Sequence, residues 1–316
     1  MNILITGGCG YIGTLLTNKL IRMKHSVIVI DNQLFGNFLK KKKNLIIYKK
    51  SILEINKINI KKKIDIIIHL SSIANDPMAD LNPNLSWETS SLGTLELIKF
   101  SKKKKVKRII YASSGSVYGI KKELKVHEDL DLHPISLYNK VKMVTERILL
   151  SHKDEFEIFI IRPATVCGFS PRMRLDLTVN ALTFSALNKK KITVYGGKQI
   201  RPNIHIDDMV DLYLFMIKTN KKNCGIYNAG FENKSINQIA SMVKKKIPSK
   251  VMVIKSKNDP RSYRLSSHKL LKIGFKPKKG IIDAIKELKL LYFMKKLKNK
   301  PNYHSVSWLK KIINHA

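Results

Sequence analysis

The chain has 316 residues, 44% of them hydrophobic, so it can bury a large core without disulfides or metal ions to hold it together. Its cysteines, Cys9, Cys167 and Cys224, are odd in number and lack metal-ligand spacing, which argues against a disulfide framework and for a reducing compartment. The nine histidines show no paired ligand spacing, so we predict no metal site. We find neither a signal peptide nor an apolar stretch long enough to span a bilayer, and we expect a cytoplasmic protein without a membrane partner.

The formal charge of +37, from 60 basic and 23 acidic residues, would ordinarily suggest a nucleic-acid partner. Two features of the basic residues weigh against this. Only nine of them are arginine, whose forked side chain is the one that base and phosphate readers favour. The lysines form scattered runs near the ends of predicted elements, which is typical of solvated surface. We therefore predict no nucleic-acid partner, although a positive field would attract a ligand that carries phosphate groups.

Short apolar runs alternate with helical patterns from residue 1 to about residue 165. Runs that are apolar on both faces are typical of a parallel sheet covered by helices on both sides. The sequence therefore predicts a doubly wound α/β (Rossmann) fold, with its ligand site where the first and fourth strands end. The predicted strands are 3–5, 27–30, 45–48, 64–70, 106–112 and 156–161.

A glycine-rich turn follows the first predicted strand. Gly7, Gly10 and Gly13 would allow a tight turn, close approach to a diphosphate, and binding by the amides that open a helix at Tyr11 and Ile12. Asp31 ends the next strand at the distance expected of a residue that binds ribose hydroxyls and repels a 2′-phosphate. This pattern favours NAD over NADP as the cofactor, and Asn32 is a further candidate for cofactor binding.

A second sequence pattern indicates the candidate catalytic residues. The strand 106–112 leads into the sequence YASSGSVYG, and a predicted helix then holds Tyr138 and Lys142 four residues apart, on one face. A fixed cation near a tyrosine lowers the pKa of the phenol, which then acts as a base. Ser114, at the end of the strand, supplies a hydroxyl that can hold the substrate oxygen.

Together these three motifs, TGGCGYIG at 6–13, SSGSVYG at 113–119 and Tyr138 with Lys142, resemble the extended short-chain dehydrogenase/reductase family. More narrowly, the chain is similar to the nucleotide-sugar epimerases of that family, the type to which UDP-glucose 4-epimerase belongs. The resemblance runs from residue 1 to about residue 280. It implies a nucleotide-diphosphate sugar as substrate, and a homodimer in which the helices 85–102 and 136–151 pair with their counterparts.

The resemblance also implies further cofactor contacts. The backbone of Leu70, Ser71 and Ser72 would line the cofactor trough, and Arg162 is assigned to the same site. Two positions depart from the family pattern. Ser51-Ile52 stands where an aspartate beside an apolar residue is usual, and Ser90 replaces the usual asparagine.

On the substrate side, the resemblance assigns Arg201 to the diphosphate and Arg261 to a loop that closes on the nucleotide. Arg172 and Arg174 are further candidates for contact with the sugar or the diphosphate. The loop 73–84, which is rich in turn residues, is expected to face the sugar. The complete set of substrate-binding candidates is Asn75, Ser114, Ser116, Thr165, Asn180, Arg201 and Arg261.

We predict two lobes. Residues 1–165 form the NAD-binding domain, to which 201–230 returns. Residues 166–200 and 231–300 form the substrate lobe, and 301–316 is a basic tail expected to end in a docked helix.

The residues after Ser114 narrow the reaction. Related dehydratases carry an Asp-Glu pair there and related decarboxylases a glutamate, whereas this chain has Gly115-Ser116. A 4-epimerase or a 4-keto-sugar reductase remains, and Asp31 favours the epimerase because it favours NAD. A third hypothesis, a catalytically silent dinucleotide sensor, is disfavoured by the intact Ser114, Tyr138 and Lys142.

Overall fold

Runs of isoleucine, leucine and valine form the strands of a central seven-stranded sheet. The computed structural model describes residues 1–255 and 262–314, and all strands and helices below lie in those ranges. The strands are β1 Asn2–Thr6, β2 Ser26–Asp31, β3 Leu45–Lys49, β4 Ile66–His69, β5 Arg108–Ala112, β6 Glu157–Pro163, β7 Thr165–Cys167, β8 Lys191–Tyr195, β9 Ile200–His205, β10 Gly225–Ala229, β11 Glu232–Ser235 and β12 Lys250–Ile254.

The central sheet has the order β3-β2-β1-β4-β5-β6-β10, and all of its neighbouring strands run parallel. The chain winds in opposite directions from β1 and β4, so the gap between their carboxyl ends is the switch point where such sheets bind ligands. The predicted doubly wound fold is confirmed, and β10 is the strand at one edge of this sheet.

Helices cover both faces of the sheet and connect the strands. They are α1 Tyr11–Arg22, α2 Asp76–Leu81, α3 Pro83–Trp87, α4 Gly93–Lys103, α5 Leu137–Leu150, α6 Thr178–Lys189, α7 Ile206–Lys218, α8 Ile236–Lys246, α9 His268–Lys272, α10 Ile281–Phe293 and α11 Ser305–Ile313. Among them, no helix combines the length and the apolar character that a bilayer crossing needs.

Side chains along each strand alternate between the two faces of the sheet, so the core has two parts. Ile3 and Ile5 of β1 pack with the apolar faces of α1 and α7, whereas Leu4 points to the other side and packs with Leu97 of α4. Because both faces of the sheet are buried in this way, its strands are nearly continuous apolar runs.

The region 73–102 differs from the prediction of a loop followed by one helix. Asn75 and Asn82 each accept a backbone hydrogen bond, from Met78 and Leu85, and thereby cap α2 and α3. The prolines that read as turn signals lie in the first turn of these helices, where the missing N–H costs nothing. A π-helical turn at Glu88–Leu92 then separates α3 from α4.

Two smaller sheets, β11-β9-β7 and β12-β8, form the second part of the molecule with α6, α8 and α10. The final helix α11 does not pack there. Its Leu309 is buried against Ile73, just after β4, and against Met78 and Ala79 of α2. The predicted docked helix is therefore present, and we retain the two-lobe division of the chain as a proposal.

Candidate functional site

A cavity of about 540 Å³ opens at the carboxyl ends of β1, β2, β4 and β5. It brings together most of the residues that the sequence singled out. They are Gly7, Gly10, Tyr11, Ile12, Gly13, Asp31, Asn32, Ser51, Ile52, Leu70, Ser71, Ser72, Asn75, Ser114, Ser116, Tyr138, Lys142, Thr165 and Arg201.

The glycine turn leaves room for a ligand at the amino end of α1. A Cβ added at Gly7 would lie 2.7 Å from the Ser71 nitrogen, and one at Gly13 would lie 2.4 Å from the Gly7 oxygen, so both positions require glycine. A Cβ at Gly10 would meet only the Gly7 oxygen, at 3.2 Å, and otherwise enter open space. The first turn of α1 has no side-chain cap and no acidic residue, so its amides suit a diphosphate.

Asp31 lies beside this turn at the end of β2. Its carboxylate accepts hydrogen bonds from the backbone N–H groups of Cys9, at 2.9 Å, and Gln33, at 2.7 Å. Burial raises the pKa of Asp31, and these two hydrogen bonds oppose the rise. A carboxylate oxygen can accept more than one hydrogen bond, so the group can still hold the two hydroxyls of a ribose. The residues present therefore fit NAD.

Tyr138 and Lys142 lie on α5, whose first turn is capped by Ser136 through a hydrogen bond from the Asn139 backbone. The Lys142 ammonium donates to the Ala112 carbonyl at 2.7 Å and lies 5.9 Å from the centroid of the Tyr138 ring. Burial lowers the pKa of Lys142 to about 7, although nearby Glu146 raises it. The predicted pair of phenol and ammonium is thus brought together at the cavity wall.

Two serine hydroxyls lie just after β5, next to this pair in the cavity wall. The Oγ atoms of Ser114 and Ser116 are 2.7 Å apart, and Ser114 also accepts a hydrogen bond from the Ser116 backbone at 3.2 Å. This arrangement orients the Ser114 hydroxyl, which lines the same cavity as Tyr138.

Arg162 is not brought to the cavity, and its assignment to the cofactor needs correction. Its guanidinium donates to Glu146 at 3.0 and 2.7 Å and to the Tyr118 hydroxyl at 2.7 Å. Glu146 and Arg162 are almost fully buried, so this ion pair ties β6 to α5. An arginine committed to a buried carboxylate is a structural element, because breaking the pair would leave a buried charge alone.

Ser90 and Asn180 also lie behind the cavity wall. Ser90 Oγ is 3.0 Å from Ser72 Oγ, and thus supports a residue that lines the cavity. Asn180 accepts a hydrogen bond from the Gly168 backbone at 2.9 Å and donates to the Tyr11 hydroxyl at 3.0 Å. Both are placed to support the wall instead of contacting a ligand. Arg261 lies outside the described residues.

Sequence reasoning missed several lining residues. Asp76 accepts a hydrogen bond from Ser136 Oγ at 2.5 Å, and Asp176 pairs with Arg174, also at 2.5 Å. Ser305 and Val306 come from α11. An alternation of polar and apolar residues cannot show that a terminal helix reaches a site built near the other end of the chain.

His69 is the last residue of β4 and is packed inside the protein. Its ring is fully buried, with Thr6 Oγ1 at 2.7 Å from Nδ1 and Thr94 Oγ1 at 2.9 Å from Nε2. Burial lowers its pKa to about 3, which keeps the ring neutral. The residue ties β4 to β1 and to α4.

A glycine turn, the carboxylate of Asp31 and a Ser-Tyr-Lys set lie in one cavity, and this geometry agrees with a sequence match. Residues 3–230 match the model of the NAD dependent epimerase/dehydratase family. The chain belongs to this family. The predictions of an enzyme of this family and of NAD as its cofactor are confirmed by this match.

Individual relatives are similar to this chain along nearly its whole length. A UDP-glucose 4-epimerase of Lactobacillus helveticus is 26% identical over 314 residues, which cover 90% of this chain and 94% of the relative. The crystal structure of a UDP-glucose 4-epimerase from Thermotoga maritima with UDP-glucose is 27% identical, with a TM-score of 0.84 and coverage of 94% and 100%. A UDP-glucuronic acid 4-epimerase from Bacillus cereus, in complex with UDP-glucuronic acid and NAD, is 25% identical, with a TM-score of 0.79 and coverage of 99% and 100%.

Proposed function

We propose that the protein is an NAD-dependent nucleotide-sugar 4-epimerase. The observation that carries the proposal is the convergence of Ser114, Tyr138 and Lys142 on one cavity beside the glycine turn and Asp31. The relatives support it, because three of them are 4-epimerases that act on UDP-sugars according to their names.

Each of these residues has its own role in the proposed reaction. Tyr138, as the phenolate, takes the proton from the C4 hydroxyl of the sugar, and the Lys142 cation stabilises that phenolate. Ser114, oriented by Ser116, donates a hydrogen bond to the C4 oxygen as it becomes a carbonyl. When bound, NAD supplies the acceptor and the donor of the hydride. Tyr138 then returns the proton to the C4 oxygen after the sugar has presented its other face.

The substrate end of the cavity contains polar and cationic side chains. Arg201, on β9, is suited to the diphosphate because a guanidinium can bind phosphate oxygens in pairs. Asn75 and Thr165 offer hydrogen bonds to the sugar. Arg261 remains our candidate for the loop that closes on the nucleotide.

The unpaired state of Cys9, Cys167 and Cys224 accords with a reducing compartment, and we propose a cytoplasmic location.

A first experiment separates epimerase from reductase. The purified protein is checked for absorbance near 340 nm and mixed with candidate nucleotide hexoses, and the products are resolved by chromatography. Interconversion of C4 epimers without net change in NADH supports the epimerase. Stoichiometric consumption of NADH or NADPH by a nucleotide 4-keto sugar would make the reductase the better name. Tight NAD binding with no reaction on any nucleotide sugar would favour the dinucleotide sensor.

A substitution tests the base. Tyr138→Phe removes the phenol and keeps the ring, so we expect turnover to fall by about 10²–10⁴-fold while the Kd for NAD stays within about twofold. Turnover is measured by product chromatography and NAD affinity by calorimetry. Tyr195→Phe, at an exposed tyrosine of β8, serves as the control and should leave both values unchanged. An equal loss of turnover and NAD affinity in Tyr138→Phe would show that the tyrosine is assigned wrongly.

A further inference from the structure

Arg172 is a buried cation that the proposed mechanism does not use. It is 3% exposed, lines the cavity, and lies in the segment 168–177 between β7 and α6. This segment packs directly on the first turn of α1. Ser170 Oγ donates to the Tyr11 carbonyl at 2.7 Å, and the Tyr11 hydroxyl donates to the Gly168 carbonyl at 2.6 Å. Arg172 therefore belongs to the same wall region as the glycine turn.

The guanidinium of Arg172 is held without an acidic partner. It donates to the Met173 carbonyl at 3.2 Å and to Ser305 Oγ at 3.0 Å, and its central carbon lies 4.4 Å from the centroid of the Phe35 ring. Within residues 1–255 and 262–314, its Nε has no hydrogen-bond acceptor and the side chain forms no ion pair. Burial and the neighbouring Arg174 lower the pKa of Arg172 to about 9. A buried, incompletely paired cation is costly, and a bound anion would offset that cost.

The cavity as a whole has a surplus of positive charge. Asp176, the carboxylate closest to Arg172 in sequence, is bound by two nitrogens of Arg174, at 3.1 and 2.5 Å. Cations outnumber carboxylates among the described lining residues, which include Lys50, Lys142, Arg172, Arg174 and Arg201 against Asp31, Asp76 and Asp176. A diphosphate supplies the charge that this wall lacks.

The C-terminal residues 301–313, here called the C-terminal clasp, fix Arg172 in position. Trp308 Nε1 donates to the Leu34 carbonyl and Asn302 Nδ2 to the Phe35 carbonyl, both at 2.8 Å. On its other side, the clasp accepts a hydrogen bond from the Leu175 backbone at the Tyr303 carbonyl, at 2.9 Å. The clasp thus joins the loop that follows Asp31 to the segment that carries Arg172, and Ser305 contacts the guanidinium between them.

We propose that Arg172 binds the diphosphate of the dinucleotide, as a second contact besides the glycine turn, and that the C-terminal clasp holds it there. The inference deepens the proposed function, since it rests on the cavity being the NAD site. Two diphosphates would enter this cavity, that of the dinucleotide and that of the nucleotide sugar. We assign Arg172 to the dinucleotide because it stacks on Phe35, four residues after Asp31, and its segment is seated on Tyr11.

Binding measurements test the assignment without any need for turnover. NAD, ADP and UDP are titrated calorimetrically into cofactor-free wild type, Arg172→Gln and Arg172→Lys. Arg22→Gln, an exposed arginine in the last turn of α1, is the matched control and should bind like the wild type. We expect Arg172→Gln to weaken NAD and ADP by about tenfold or more and to leave UDP within about twofold. Arg172→Lys, which keeps the charge, should recover part of the loss.

Other outcomes overturn the proposal. Unchanged NAD and ADP affinities would mean that Arg172 only supports the wall, and a loss confined to UDP would assign it to the sugar nucleotide. If Arg172→Gln does not fold, as judged by circular dichroism, Ser305→Ala provides the second test. Removing this contact should weaken ADP by a smaller factor with UDP unchanged, and equal ADP affinity in Ser305→Ala and wild type would contradict the role of the clasp. None of these results depends on the epimerase assay, so the two proposals can fail separately.

Discussion

At the scale of single residues, Lys142 shows how strongly burial changes the ionisation of a side chain that lines the cavity. Its side chain lines the cavity but is only 3% exposed, and the Ala112 carbonyl and the Tyr138 ring are neighbours of its ammonium. Desolvation disfavours the charged form and lowers the pKa of Lys142 from 10.5 to about 7. The fold therefore holds this cation at a cost in stability, and in the proposed mechanism the cation favours the phenolate of Tyr138.

The lowered pKa predicts how stability depends on pH. The unfolded chain holds the Lys142 proton up to about pH 10.5, whereas the folded chain releases it near pH 7. Between these values the unfolded state binds more protons, so the contribution of Lys142 to the free energy of unfolding rises with pH. We expect cofactor-free wild type to gain a few kcal/mol relative to Lys142→Met between pH 7 and pH 10. Urea unfolding at several pH values measures this difference, and parallel profiles for the two proteins would refute it.

At the scale of secondary-structure elements, the contact between β1 and α1 determines the shape of the cavity at the glycine turn. The carbonyl of Gly7 accepts a hydrogen bond from the Gly10 backbone at 3.1 Å, and Gly13 packs directly on that turn. The helix can approach the strand this closely because neither position carries a side chain. Gly10 has a different role, because the space beside it belongs to the cavity.

Two glycine substitutions should therefore have different effects. Gly10→Ala places a methyl group in the cavity at a backbone conformation that alanine accepts, so we expect NAD affinity to fall by at least about tenfold with little change in Tm. Gly13→Ala drives a Cβ into the Gly7 carbonyl and should lower both NAD affinity and stability, by about 1–3 kcal/mol. Calorimetry and thermal unfolding report the two quantities. Similar stability losses in both variants would contradict this division of roles.

At the scale of the whole molecule, α4 and α5 lie next to each other on one side of the sheet, and two leucines at the start of α4 are exposed. Leu92, just before α4, is 49% exposed, and Leu95 within it is 40% exposed. We propose that this side forms the interface of a homodimer through four paired helices. Apolar side chains exposed on one helix face are the feature that such an interface would cover.

A charge placed on this face tests the dimer. Leu95→Lys should convert the protein from dimer to monomer in light scattering coupled to size exclusion, because an ammonium cannot be buried unpaired in an apolar interface. Leu290→Lys, at a 60% exposed leucine of α10, is the control and should keep the oligomeric state of the wild type. If the wild type elutes as a monomer at all concentrations, the proposed homodimer is refuted.

The sequence by itself determined the doubly wound sheet, the glycine turn, Asp31 and the set of Ser114, Tyr138 and Lys142. These features are readable because each depends on a short pattern: continuous apolar runs, a fixed glycine spacing, or two residues one helical turn apart.

Only the tertiary structure decided which partners the buried arginines have. Arg162 and Arg172 have the same residue type and similar burial, yet one pairs with Glu146 and the other meets Ser305, 133 residues further along the chain. A local pattern cannot distinguish them, because the free energy of a buried arginine depends on which acceptors distant segments bring to it. For the same physical reason, only packing could reveal that the last helix reaches the cavity, where Ser305 and Val306 line the wall and Leu309 is buried against Ile73 and Met78.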